Sequence, residues 1–67
     1  MATVLIGDHV PDIRTAMTMV FQRRGHEVFS IGEAASVMAA VLEVRPAVLL
    51  LNLPDDDAVQ GVPGSAP

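Results

Sequence analysis

The chain has 67 residues, a net charge of −4 and no cysteine, and its four basic residues are all arginine. This length allows one small domain, and the missing cysteines exclude disulfides and thiolate metal sites. The acidic balance argues against a nucleic-acid-binding surface, and no apolar stretch is long enough to span a bilayer. We therefore expect a cytoplasmic protein. Its core should be aliphatic, because 51% of the residues are hydrophobic and only two are aromatic.

The first predicted elements are a strand and a helix. Residues 3–7 form a β-branched and aliphatic run that is typical of a strand. Pro11 suits the first turn of a helix, where its missing N–H is not needed, and Asp12 favours the positive end of the helix dipole. Gly25 supplies a left-handed stop. Apolar residues at helical spacing define one stripe along this helix: Ile13, Ala16, Met17, Val20 and Phe21.

A second strand and a second helix follow. Residues 27–31 are the predicted strand, and His26 just before it is expected at the surface. Glu33 is predicted to open the second helix, which should end at Arg45 because the residue before a proline is pushed out of the right-handed helical region. The residues predicted to face inward from this helix are Ala34, Val37, Met38, Val41 and Leu42.

The third predicted strand is an unbroken apolar run from 47 to 51, which favours a strand buried on both faces of a parallel sheet. Asn52 follows at its carboxyl end, and the acidic run 55–57 comes after it. Residues 58–67 are rich in Gly and Pro and are predicted to form a flexible tail after a domain of residues 1–57. The fold class is α/β. The order βαβαβ with right-handed crossovers predicts a three-stranded parallel sheet in the order 2-1-3.

Three segments together resemble the N-terminal half of a response-regulator receiver domain. Residues 4–14 read VLIGDHVPDIR, residues 23–28 read RRGHEV, and residues 46–53 read PAVLLLNL. They occur in the family's order and spacing over residues 3 to 57. The resemblance implies a truncated flavodoxin-like fold and a place in two-component signal transduction. Receivers in a phosphorelay accept a phosphoryl group from a histidine kinase on an aspartate that ends the third strand, with Mg²⁺ held by a neighbouring acidic pair.

The match departs from the family at the residues that carry its chemistry. Asp8 matches the first acid of the pair, but His9 stands where the second acid is expected, and Asn52 stands at the phosphoacceptor position. A neutral amide is not an oxygen nucleophile, and imidazole is a poor ligand for Mg²⁺. The resemblance therefore implies a pseudo-receiver that is not phosphorylated, is not an enzyme and holds no Mg²⁺ cofactor.

Three other interpretations stay open. Asp8, His9 and Asp55 are weak candidates for transition-metal ligands, although an acidic run such as 55–57 is more often a solvated loop. The turn after the first strand and residues 24–28 also resemble the N-terminal part of a nucleotide-sugar glycosyltransferase. Finally, the aperiodic tail is compatible with a non-functional half-domain from a truncated reading frame.

The expected partner is another protein. In a receiver the third strand pairs with a fourth, whose sequence would lie after the last residue here. Strand 47–51 is therefore predicted to present a free edge that carries no charge and no internal proline. We expect a protein partner or a second copy of the chain to pair with this edge, and neither nucleic acid nor a membrane to be bound.

Overall fold

A computed structural model describes residues 1–53. The predicted acidic run 55–57 and the predicted tail 58–67 lie outside the described residues. The elements are β1 (Thr3–Asp8), α1 (Pro11–Arg23), β2 (Glu27–Ile31), α2 (Val37–Val44) and β3 (Val48–Asn52). The strands form one parallel sheet in the order β2-β1-β3. The predicted βαβαβ fold and the strand order 2-1-3 are confirmed.

The central strand β1 supplies the core of the described part. Leu5 lies opposite Phe29 of β2 on one side and Leu49 of β3 on the other. Val4, Leu5 and Ile6 are buried, and Leu5 has no exposed surface. The crossovers through α1 and α2 run to opposite sides of β1, so right-handed connections place the two helices on opposite faces of the sheet. This arrangement covers both faces of β1.

The prediction that the third strand is buried on both faces is wrong. Val48, Leu49 and Leu51 of β3 are all exposed, Leu49 by 41%. β3 is an outer strand, and both helices pack chiefly on β1 and β2. An apolar run predicts that a strand can be buried, but the elements packed against the strand decide whether it is.

Helix α1 begins and ends where the sequence predicts. Pro11 is its first residue, Asp12 lies in its first turn, and Arg23 lies in its last. Gly25 has the expected left-handed conformation with φ of +84°. The apolar stripe is only partly correct, because Ile13, Ala16 and Val20 are exposed. The residues of α1 that are partly buried are Arg14, Met17, Thr18 and Phe21.

Helix α2 differs more from expectation. Glu33 precedes a single 3-10 turn, Ala34–Ser36, and the α-helix begins only at Val37. The predicted inward placement of Met38 and Leu42 is wrong, because these side chains are 67% and 69% exposed. The α2 residues that are partly buried are Val37, Ala40, Val41 and Val44. Apolar residues occur around most of this helix, so its sequence does not define one inward face.

Arg45 and His26 lie next to the ends of elements, and their observed positions can be compared with the predicted ones. Arg45 ends α2 in the left-handed region, with φ of +51°, and its N–H donates to the Val41 carbonyl at 2.8 Å. The predicted helix end before Pro46 is thus confirmed. His26, which is predicted to lie at the surface, is partly buried, and its Nδ1 accepts the Ala2 N–H at 3.0 Å.

Gly7 lets the leucine side chains at the end of β3 pack closely against the end of β1. A Cβ atom at this position would lie 2.8 Å from Leu51 Cδ2 and 3.1 Å from Leu53 Cδ1. Only a glycine fits this approach without displacing the leucines, and it directly precedes Asp8, the first residue of the site described below. Within residues 1–53, no helix is long and apolar enough to cross a membrane.

Candidate functional site

The candidate site lies where β1 and β3 end. Asp8 and Asn52 are the last residues of these strands, and they are register partners across the parallel pair. Polar residues at the carboxyl ends of parallel strands are where α/β sheets usually place ligands and chemistry. Asp8 and Asn52 therefore lie side by side at this edge of the sheet.

The Asp8 carboxylate accepts a hydrogen bond on each oxygen. Oδ1 accepts the backbone N–H of Val10 at 2.9 Å, and Oδ2 accepts the side-chain amide N–H of Asn52 at 3.1 Å. The first bond closes the turn that leads into α1, a role that short acidic side chains commonly take. The second joins the ends of two strands that are far apart in sequence. Asp8 is only 1% exposed, so both bonds compensate for the burial of its charge.

Arg14 is a site residue that the sequence did not reveal. Its Nη1 donates to the backbone carbonyl of Asp8 at 2.7 Å. The guanidinium lies over Gly32, where a Cβ atom would come within 2.6 Å of the same nitrogen. A glycine directly after β2 was the available signal, but a side chain that bonds to a backbone carbonyl leaves no pattern in the sequence.

His9 lies at the rim of the site. Its Nδ1 is 3.3 Å from the backbone carbonyl oxygen of Asn52 and 4.0 Å from Asp8 Oδ1. The first contact is a hydrogen bond when Nδ1 carries a proton, because a carbonyl oxygen only accepts. The ring is half exposed. His9 therefore adds a contact at the rim without closing the site.

These contacts change the acidity of Asp8. The hydrogen bond from the Val10 N–H lowers the pKa of the carboxyl group, and burial opposes this effect. The Asn52 amide and the positive charges of His9 and Arg14 lower the pKa further. The net result is a pKa below the ordinary value of about 3.9. The folded state therefore binds this proton less readily than the unfolded chain does.

The lowered pKa of Asp8 predicts an acid-labile contribution to stability. The contribution is fully present above about pH 4 and is lost as the pH falls through the folded pKa. We expect the urea midpoint of unfolding to drop over this range in the natural chain. Asp8→Asn should lose part of the drop, whereas Asp12→Asn, at an exposed carboxylate, should keep it. Equal acid dependence in Asp8→Asn and the natural chain would contradict the prediction.

The described residues do not fit a Mg²⁺ ion. Mg²⁺ requires several hard oxygen ligands in near-octahedral geometry. Both carboxylate oxygens of Asp8 accept N–H donors, and Asn52 turns its amide nitrogen rather than its oxygen toward Asp8. Within residues 1–53, no group of three or more His, Asp or Glu side chains could hold a metal ion. The proposed third ligand, Asp55, lies outside the described residues.

The arrangement places a carboxylate and a neutral amide side by side, and the amide cannot act as an oxygen nucleophile at phosphorus. Among residues 1–53, Asp8 is the one buried carboxylate; it accepts two hydrogen bonds, and the neighbouring position carries the neutral amide of Asn52. In the described part of the chain, every buried polar side-chain atom has a hydrogen-bond partner.

Comparisons with protein-family models, curated proteins and solved structures find no match to this chain.

Proposed function

We propose that this chain is a pseudo-receiver module of the two-component type, which is not phosphorylated and acts through protein–protein contacts. The observation that supports this proposal best is the hydrogen bond from Asn52 Nδ2 to Asp8 Oδ2 at 3.1 Å. It joins the two positions at which the resembling family carries its phosphoacceptor and the first acid of its metal pair. The amide donates directly to the carboxylate.

Phosphoryl transfer to a receiver needs a nucleophile and neutralisation of charge on the transferred group. Positioning and electrostatic stabilisation account for nearly all of the catalysis in such reactions. Asn52 supplies no anionic oxygen, and His9 replaces one hard oxygen ligand with imidazole. A cation at Asp8 would also compete with the two N–H donors that its carboxylate already accepts. These features support a role in which the site stabilises the fold.

The proposal predicts that the chain stays unmodified in the presence of a phosphoryl donor. Incubation with acetyl phosphate and Mg²⁺ should produce no phosphoryl adduct in intact-mass measurements, while a phosphorylatable receiver treated in parallel should gain one. Asn52→Asp alone should not restore efficient transfer, because His9 remains at the metal position. A stable adduct on the natural chain would contradict the proposal.

The proposed contact surface is the outer edge of β3, and the proposed partner is a second copy of the chain. Within residues 1–53, β3 pairs only with β1, so its other edge has no strand beside it. The strand is apolar from Val48 to Leu51 and carries no charge. Two copies related by a two-fold axis can pair antiparallel about Leu50, placing similar aliphatic side chains opposite one another. The result would be a continuous six-stranded sheet.

A further inference from the structure

A groove between α1 and β2 is lined mainly by polar side chains that have no role in the proposed function. It has a volume of about 420 Å³, within the range of small-molecule sites. The side chains that line it are Arg14, Thr15, Thr18, Met19, Gln22 and Ser30. Three of them are hydroxyl residues, one is an amide and one is a guanidinium, and none is acidic. In a chain with a net charge of −4, this local composition is unusual.

The guanidinium of Arg14 is held in a fixed place beside this groove. Gly32 makes room for it, and Nη1 donates to the Asp8 carbonyl at 2.7 Å. Within residues 1–53, Arg14 has no carboxylate at salt-bridge distance, so its positive charge has no ion-pair partner there. A guanidinium has five N–H donors in a planar fork, and one bond to a carbonyl leaves most of them available.

We propose that the groove binds a small molecule through an oxyanion, either a carboxylate or a phosphate group, placed against Arg14. The guanidinium fork matches both groups through paired, charge-assisted hydrogen bonds. The hydroxyls of Thr18 and Ser30 supply further donors, and Met19 offers an apolar surface to the body of the ligand. A cationic ligand is disfavoured, since no side chain of the lining is acidic and Arg14 would repel it.

The groove is distinct from the Asp8–Asn52 pair but shares one residue with that site. Its lining residues lie on α1 and β2, whereas the Asp8–Asn52 pair joins β1 and β3. Arg14 is the only residue that takes part in both. An oxyanion bound there would face the side of the guanidinium that the Asp8 carbonyl leaves free, so Arg14 could keep its bond to the backbone.

The binding test is a titration of the full chain followed by amide NMR. Inorganic phosphate and acetate are added separately at constant ionic strength, with chloride as the reference salt. We expect saturable shifts of the Thr15, Thr18 and Ser30 amides with at least one of the two probes, and the tighter probe identifies the preferred oxyanion. Shifts that grow without saturation, or that equal those produced by chloride, would overturn the proposal.

Matched variants assign the binding to the groove. Arg14→Gln should weaken binding of the tighter probe by about tenfold or more, as expected for loss of a charged hydrogen-bond partner. Arg23→Gln removes the same charge from the last turn of α1, at a residue that does not line the groove, and should leave affinity nearly unchanged. Thr18→Val keeps both the shape and Arg14, so it remains informative if Arg14→Gln fails to fold, and we expect a loss of about threefold or more. Unchanged affinity in Thr18→Val would contradict a hydroxyl contact and overturn the proposed site.

Discussion

Leu5→Ala is expected to remove most of the stability of this protein. Leu5 is fully buried at the centre of β1, between the register partners Phe29 and Leu49. Truncating a buried leucine costs about 2–5 kcal/mol through lost transfer free energy and a residual cavity. A domain with roughly 50 ordered residues has a total stability of only about 3–8 kcal/mol. Urea unfolding followed by circular dichroism, at fixed protein concentration, should show a large fall in the midpoint.

Leu42→Ala provides the matched control for this experiment. The substitution is chemically the same, but Leu42 is 69% exposed on α2. We expect its free energy of unfolding to stay within about 0.5 kcal/mol of the natural chain, as for most surface changes. Similar midpoints for the two variants would show that β1 is not the core of the protein.

Leu49→Lys is expected to abolish the self-association proposed for this chain. A lysine on an outer strand is one of the devices by which proteins prevent strands from pairing edge to edge. Leu49 lies in the middle of the apolar edge of β3 and is 41% exposed, so the lysine can reach water when the chain is alone. Pairing with a second copy would bring two such charges close together. Sedimentation at micromolar concentration should show association for the natural chain and its loss in the variant.

Met38→Lys tests whether the effect belongs to the edge. Met38 is exposed on α2, so the same charge is added to the protein away from β3. Association should persist in this variant. A natural chain that sediments as a monomer would contradict the proposed pairing, and equal loss of association in both variants would show that added charge, rather than the position of Leu49, is responsible.

The sequence predicts the fold well because the residues that begin and end each helix lie within short segments of the chain. Pro11 and Gly25 marked the limits of α1, and Pro46 marked the end of α2. Three aliphatic runs separated by two helices leave few topologies once crossovers are right-handed. Burial was less predictable. Met38 and Leu42 lie on a helix that is apolar on most sides, and the third strand is apolar yet exposed. In both cases the covering elements, not the residues themselves, determine exposure.

The site was predictable in position but not in detail. Parallel strands end at the same edge of a sheet, so Asp8 and Asn52 had to lie near each other. The direction of the Asn52 amide, with its nitrogen toward the carboxylate, depends on the charge state and bonds of Asp8 and cannot be inferred from residue types alone. The contact of Arg14 with a backbone carbonyl could not be predicted either. Any residue at position 8 carries that carbonyl, so the residue types do not indicate the contact.

NMR of the Asn52 side chain tests directly whether its amide donates a hydrogen bond to the Asp8 carboxylate. Asn52 is the only asparagine in the chain, so its Nδ2 signals can be distinguished from those of the two glutamines by an Asn52→Ser variant. On acidification, these signals should shift with a midpoint below the ordinary aspartate pKa of about 3.9, and Asp8→Asn should abolish this shift. Signals that do not titrate, or that titrate equally in Asp8→Asn, would show that the two side chains are not bonded.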